Sequence, residues 1–145
     1  METTKKVTLR DKIIIGNPEI DNDHRKLLEI YNELVDLIEY KMSRQDFARI
    51  LTKMTDYSLI HFKKEEKYME QLSYPNINEH IAFHRDYIYK VAMYNLDLLN
   101  ENGLNAEDVL KFLKAWWINH IMKIDLLYEK FKNENENEND LNIKY

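Results

Sequence analysis

No cysteine occurs in this chain. Disulfides, iron–sulfur clusters and thiolate metal ligands are thereby excluded, and a reducing, cytoplasmic setting is expected. Only two glycines and two prolines are present, so long helices can run with few of the interruptions those residues cause. A basic excess is missing too. Twenty-one Lys and Arg face 26 Asp and Glu, for a formal net charge of -5, which argues against nucleic acid or an anionic membrane as partner. The N-terminus, METTKKVTLRDKIIIGN, has only a three-residue isoleucine run, too short for a signal-peptide core. Nowhere does an apolar run approach the ~20 residues of a membrane span. A length of 145 residues predicts one domain with a substantial core, and a monomer is expected.

Helical periodicity is what the chain does have. Residues 1–20 lack it and include Gly16, Asn17 and Pro18, which predicts an extended arm. From Asp21 apolar residues recur at spacings of three and four. The first stripe is His24, Leu27, Leu28, Tyr31, Leu34, Val35 and Ile38. Ser43 with Asp46 signals the start of a second helix, whose stripe runs from Phe47 through Met54, His61 and Glu65 to Leu72. Ser73 to Asn76 reads as a turn. A third stripe holds His80, Ile81, His84, Tyr87, Val91 and Leu98, and Asn102-Gly103 is expected to end it. Asn105 should cap a fourth helix with Leu110, Leu113, Trp117, His120, Ile121, Ile124 and Tyr128 on its stripe. The predicted fold is all-α: an antiparallel up-down-up-down four-helix bundle over 21–131 with an extended N-terminal arm. The polar segment 132–145, with its NENENEN repeat, is expected to lack regular structure.

All five histidines lie on these apolar stripes. They form one spaced pattern with two carboxylates: His24, His61-x3-Glu65, His80-x3-His84 and His120-x4-Asp125. A single histidine on an apolar face is usually a hydrogen-bonded core residue. Every helix here carries one, and five neutral imidazoles with two carboxylates would be severely desolvated without a cation. Imidazole suits iron, copper, nickel and zinc. Seven ligands are too many for a tetrahedral zinc and suit a pair of six-coordinate metals. Residues four apart share a helix face, so His61 with Glu65 and His80 with His84 can each reach one metal pair. The five-residue spacing leaves His120 and Asp125 about 140° apart on an ideal helix. A π-bulge within 120–125 is therefore predicted, or else an Asp125 that reaches sideways between helices.

At these residues the chain resembles the hemerythrin family, specifically the single-domain bacterial hemerythrins. The likeness covers about residues 8–131 and includes Ile20-Asp21-Asn22-Asp23-His24, His61-Phe62-Lys63-Lys64-Glu65-Glu66 and Trp117-Ile118-Asn119-His120-Ile121. It implies a non-haem di-iron centre. His80, His84 and His120 would hold one iron, His24 and His61 the other. Glu65, Asp125 and a solvent-derived oxo or hydroxo group would bridge the two. Those ligands fill eleven of the twelve octahedral positions. The position left open, beside His24 and His61, implies reversible O2 binding for storage, transport or delivery. NO, peroxide and small anions are further candidate ligands there.

Competing functions are a small di-iron oxidase, peroxidase or NO-handling enzyme, an oxygen or redox sensor, and iron storage. Another metal pair, such as manganese, also remains open. Leu27, Phe62, Trp116, Trp117 and Ile121 are the expected lining of the open position. Two departures stand out. The family often has an aromatic residue in the arm near Leu9, absent here, and usually an aliphatic residue where this chain has Trp117. The ten tyrosines and six methionines read as core and boundary residues. Lys63, Lys64, Glu66 and Lys67 read as a solvated helix face, with Glu66 a minor candidate to support a ligand.

Overall fold

The computed structural model describes residues 14–41, 43–100 and 104–143, with side chains of the last helix described to Glu136. Four rods are present: α1 (Pro18–Glu39), α2 (Arg44–Gln71), α3 (Ile77–Leu99) and a composite fourth. The fourth consists of α4 (Ala106–Asn119), a π-helical turn (His120–Asp125) and α5 (Leu126–Ile143). Short connections make neighbours antiparallel. Helix α1 packs on α2 and α4, and α2 on α3. Rings of Tyr87, Trp116 and Trp117 join α3 to α4, completing an all-α four-helix bundle.

The helix starts follow local chemistry. Asn17 accepts hydrogen bonds from the Glu19 and Ile20 amides, and Pro18 occupies the first helical position, where its missing N–H costs nothing. Helix α1 thus begins three residues before the Asp21 start expected from periodicity. Ser43 accepts from the Asp46 amide and Asn105 from those of Glu107 and Asp108. Helix α2 closes with paired bonds, Tyr74 N to Met69 O and Ser73 N to Glu70 O, each 3.0 Å. This closure puts Ser73 at φ 55°, where glycine would be unstrained.

The predicted stripes meet in one core. Leu27, Leu34, Leu51, Met54, Val91, Leu113, Trp117 and Ile121 are all completely buried. Past the π-turn the register shifts, so Asp125 and Tyr128 face inward while Ile124 is half-buried. The polar segment expected to lack structure continues α5 as helix to Ile143. Extending an existing helix avoids the cost of nucleating one. Residues 1–13 of the expected arm and the Asn102-Gly103 helix end lie outside the described residues. Among the described residues, no helix is long and apolar enough to cross a membrane.

Two substitutions with opposite signs test these ends in urea unfolding of the metal-free chain. Asn105→Ala should cost about 1 kcal/mol through the lost cap. Ser73→Gly should stabilise by up to ~1 kcal/mol by relieving the left-handed conformation. A neutral Asn105→Ala or a destabilising Ser73→Gly would contradict the local account.

Candidate metal centre

Each rod brings its own side chains to one point at the bundle centre. Helix α1 supplies His24, α2 supplies His61 and Glu65, α3 supplies His80 and His84, and the π-turn supplies His120 and Asp125. All seven are at most 3% exposed. The π-turn lies where the five-residue spacing placed it. It unwinds the helix enough to bring Asp125 back to the side of His120, with Oδ1 2.9 Å from His120 Nε2.

The donor atoms form two groups. Glu65, His80, His84, His120 and Asp125 make one; His24, His61, Glu65 and Asp125 make the other. Within each group the atoms lie within 4.8 Å of one another. The two carboxylates belong to both, one oxygen to each side. Glu65 Oε1 is 2.6 Å from His80 Nε2, while its Oε2 is 2.7 Å from His61 Nε2. Asp125 Oδ1 is 3.0 Å from His80 Nε2, while its Oδ2 is 3.0 Å from His24 Nε2. The two carboxylates thus lie between a three-histidine group and a two-histidine group.

The residues fit a metal pair on an observation independent of the spacing. His24 Nε2, His61 Nε2 and all four carboxylate oxygens are buried and make no hydrogen bond among the described residues, despite these short separations. They point at the space between them rather than at one another. On the three-histidine side, His120 Nε2 lies 3.0 Å from His80 Nε2 and 3.2 Å from His84 Nε2. The His84 Nδ1 is paired with Glu66 at 2.9 Å. Assigning the proton of a neutral ring to that nitrogen leaves a lone pair on Nε2. Nitrogen lone pairs converging in this way repel unless a cation lies between them.

The model of the hemerythrin family, described as the hemerythrin HHE cation binding domain, matches residues 16–131. The chain belongs to the hemerythrin family. It is 32% identical over 120 residues to the bacteriohemerythrin of Stenotrophomonas maltophilia, covering 82% of this chain and 76% of that protein. With the bacteriohemerythrin of Clostridium acetobutylicum it shares 29% identity over 123 residues, 82% of this chain and 95% of that one. A crystal structure of wild-type hemerythrin superimposes with a TM-score of 0.72 at 27% identity, covering 77% of this chain and 85% of that chain.

Around this hemerythrin cluster sits a ring of supporting groups that periodicity could not locate. Asp23 accepts from His61 Nδ1 at 3.0 Å and is itself held by Lys64 Nζ and the Tyr57 hydroxyl. Glu66 plays the same part for His84. Such partners fix an imidazole's tautomer and raise its strength as a ligand. Lys64 and Glu66 therefore leave the solvated face expected for them. The sequence signals for Asp23 were its place beside His24 and in the Ile20–His24 string of the resemblance; its partner is a tertiary one.

The expected lining residues divide. Trp117 is fully buried, its ring 6.0 Å from His61 and 6.5 Å from His24. Its Nε1 donates to Tyr87 Oη, Tyr87 to Ser58 Oγ, and Ser58 to the Met54 carbonyl, which fixes the indole. Phe62 stacks on both Trp117 and His84, and Leu27 and Ile121 are fully buried. Trp116 lies elsewhere. It stacks on His120 at 4.3 Å and borders an outer groove with Phe83, Phe112 and Lys123. Adjacent helical residues point about 100° apart: Trp117 packs on His24 and His61, while Trp116 reaches Phe62 at 5.8 Å.

Without metal, protons supply the positive charge. Burial works against protonated His61, but the charge of Glu65 and the bond to Asp23 outweigh it and push its pKa up to about 9. His80 also rises to about 9: burial opposes it, and Asp125 and Glu65 prevail. Burial pushes the Glu65 and Asp125 carboxyls up, yet the facing histidines hold both below their ordinary values. A raised histidine pKa stabilises the fold fully below its unfolded value of 6.5 and loses that contribution as pH rises through about 9. The lowered carboxyls contribute above their ordinary values and lose it in acid. Metal-free protein should therefore melt highest between about pH 5 and 6.5 and progressively lower toward pH 9. A flat Tm from pH 6 to 9 in a metal-free thermal series would contradict this charge assignment.

Proposed function

We propose that this chain binds O2 reversibly at a non-haem di-iron centre with a bridging oxo or hydroxo group, as a store or carrier. The observation that carries the reading is the division of Glu65 and Asp125. Each turns one oxygen toward the His80–His84–His120 group and the other toward the His24–His61 group. His80, His84 and His120 would complete one iron, and His24 and His61 would leave a position free on the other for one small ligand. When bound, the iron pair supplies the two electrons that O2 takes and returns.

The remaining work falls to the side chains. Glu65 and Asp125 hold the pair together and cancel part of its charge. Asp23 and Glu66 keep Nδ1 of His61 and His84 protonated, so Nε2 faces the metal. Trp117, Phe62, Leu27 and Ile121 form an apolar wall that restricts water and protons near the open position. The Trp117 indole is bulky, buried and hydrogen-bonded in place, which supports a gate rather than a mobile filler. The rings packed against His24 and His61 include Trp117 and Phe62. Neither carries an acid that could drive turnover, which supports a carrier over an oxidase or peroxidase. The net charge of -5 supports a function without nucleic acid, and a cysteine-free cytoplasmic monomer completes the reading.

Anaerobic, ferrous-loaded protein titrated with O2 should develop a visible charge-transfer band that argon removes. Irreversible conversion to a ferric spectrum would favour a redox enzyme or sensor instead. In the same assay Trp117→Ala should accelerate decay of the oxygenated form by roughly tenfold, about 1.4 kcal/mol of lost protection. An unchanged decay rate would remove Trp117 from the gate.

A further inference from the structure

One buried carboxylate has no part in the metal cluster. Glu129, on α5, is 2% exposed. Its Oε1 accepts from the Tyr68 hydroxyl at 2.5 Å and from Asn17 Nδ2 at 3.4 Å. The Tyr68 contact has the length of a charge-assisted O–H···O⁻ bond. The Tyr68 ring is 5.5 Å from that of Tyr128, which is 5.7 Å from the ring of His80. Tyr128 is completely buried, and its hydroxyl has no hydrogen-bond partner among the described residues. Tyr68 is half-buried. Three neighbouring rings thus lead from the edge of the cluster toward the surface.

The chemistry of phenols distinguishes the two tyrosines. A phenol that loses an electron becomes a strong acid, so oxidation is easy only where a base takes the proton. No such base meets the Tyr128 hydroxyl among the described residues, whereas Glu129 already holds the proton of Tyr68 in a short bond. Tyr74 also packs near Tyr128, at 6.4 Å, but its hydroxyl pairs with neutral Asn76. Tyr68 is therefore where an electron vacancy comes to rest, and Tyr128 is a ring it passes through.

We infer that Tyr68 and Glu129 form a proton-coupled electron donor, reached through Tyr128, that draws one-electron oxidising equivalents away from the cluster when it meets hydrogen peroxide. The inference rests on the di-iron reading above. In the step, the Tyr68 O–H bond breaks, its proton forms a new O–H bond on Glu129, and one electron leaves the ring. A centre holding two ferrous irons would supply both electrons that hydrogen peroxide takes. One holding a ferrous and a ferric iron would supply one, and the Tyr68 electron would be the second, so that one hydrogen peroxide becomes two hydroxides. The radical then sits on a half-buried ring that reductants in solution can reach, and the histidines are spared oxidation.

The test is electron paramagnetic resonance on the full chain, loaded with iron and brought to the half-oxidised state of one ferrous and one ferric ion, mixed with hydrogen peroxide and frozen at once. Iron content is measured on the same samples. A tyrosyl signal that narrows with ring-deuterated tyrosine is expected. Tyr68→Phe and Glu129→Gln should lose it, Tyr128→Phe should weaken it, and the remote Tyr94→Phe should leave it unchanged. Should a variant lose iron, the wild-type spectrum decides, because its β-proton couplings report the side-chain dihedral of the ring that carries the radical. An iron-replete wild type with no tyrosyl signal, couplings that do not match Tyr68, or an undiminished signal in iron-replete Tyr68→Phe would overturn the relay and leave the di-iron reading standing. A wild type that takes up no iron would overturn both.

Discussion

Two carboxylates and five imidazoles cannot lie together away from water unless positive charge lies among them. The rest of this bundle is arranged around that requirement. Histidines and carboxylates replace core residues at mid-helix on all four rods, so the metal-free core must recruit protons where the loaded one would use cations. Elsewhere the helices bury aliphatic and aromatic side chains, and it is this surplus of apolar burial that lets the centre be polar. The π-turn belongs to the same logic. It departs from regular helix geometry at the segment where two donors five residues apart must face one way.

The surroundings of the cluster are unequal. On one flank Asp23 orients His61 and is partly neutralised by Lys64; on another Glu66 orients His84 from a half-exposed position. Trp117 and Phe62 press on the two-histidine side, while Trp116 covers His120 from the outside. A symmetric pair of metals would therefore sit in asymmetric electrostatic and steric environments. That inequality supports one open, guarded position rather than two equivalent ones. Trp117 adds a buried, hydrogen-bonded indole to that side.

Most of the fold was legible because helical periodicity, capping residues and scarce glycine all point the same way. Ser43 and Asn105 cap the helices they were expected to cap. The π-turn could be foreseen because a five-residue spacing conflicts with ordinary helix geometry. What could not be foreseen depends on tertiary contacts. Asp23 finds His61 across a helix interface, the Tyr87–Ser58 network that pins Trp117 spans three helices, and Glu129 meets Tyr68 from another rod. Adjacent helical residues diverge, so Trp117 packs on His24 and His61 whereas Trp116 packs on His120, and both touch Phe62. Expecting a late start for α1 gave Asn17-Pro18 too little weight, although together they make a strong helix-start signal.

The central claim is that the seven convergent side chains share a pair of irons through Glu65 and Asp125. Anomalous diffraction at the iron edge, on crystals of iron-loaded protein, tests it most directly. The account predicts two peaks inside the bundle, one among His80, His84 and His120 and one between His24 and His61, with both carboxylates spanning them. A single peak, or iron bound only outside this cluster, would contradict it.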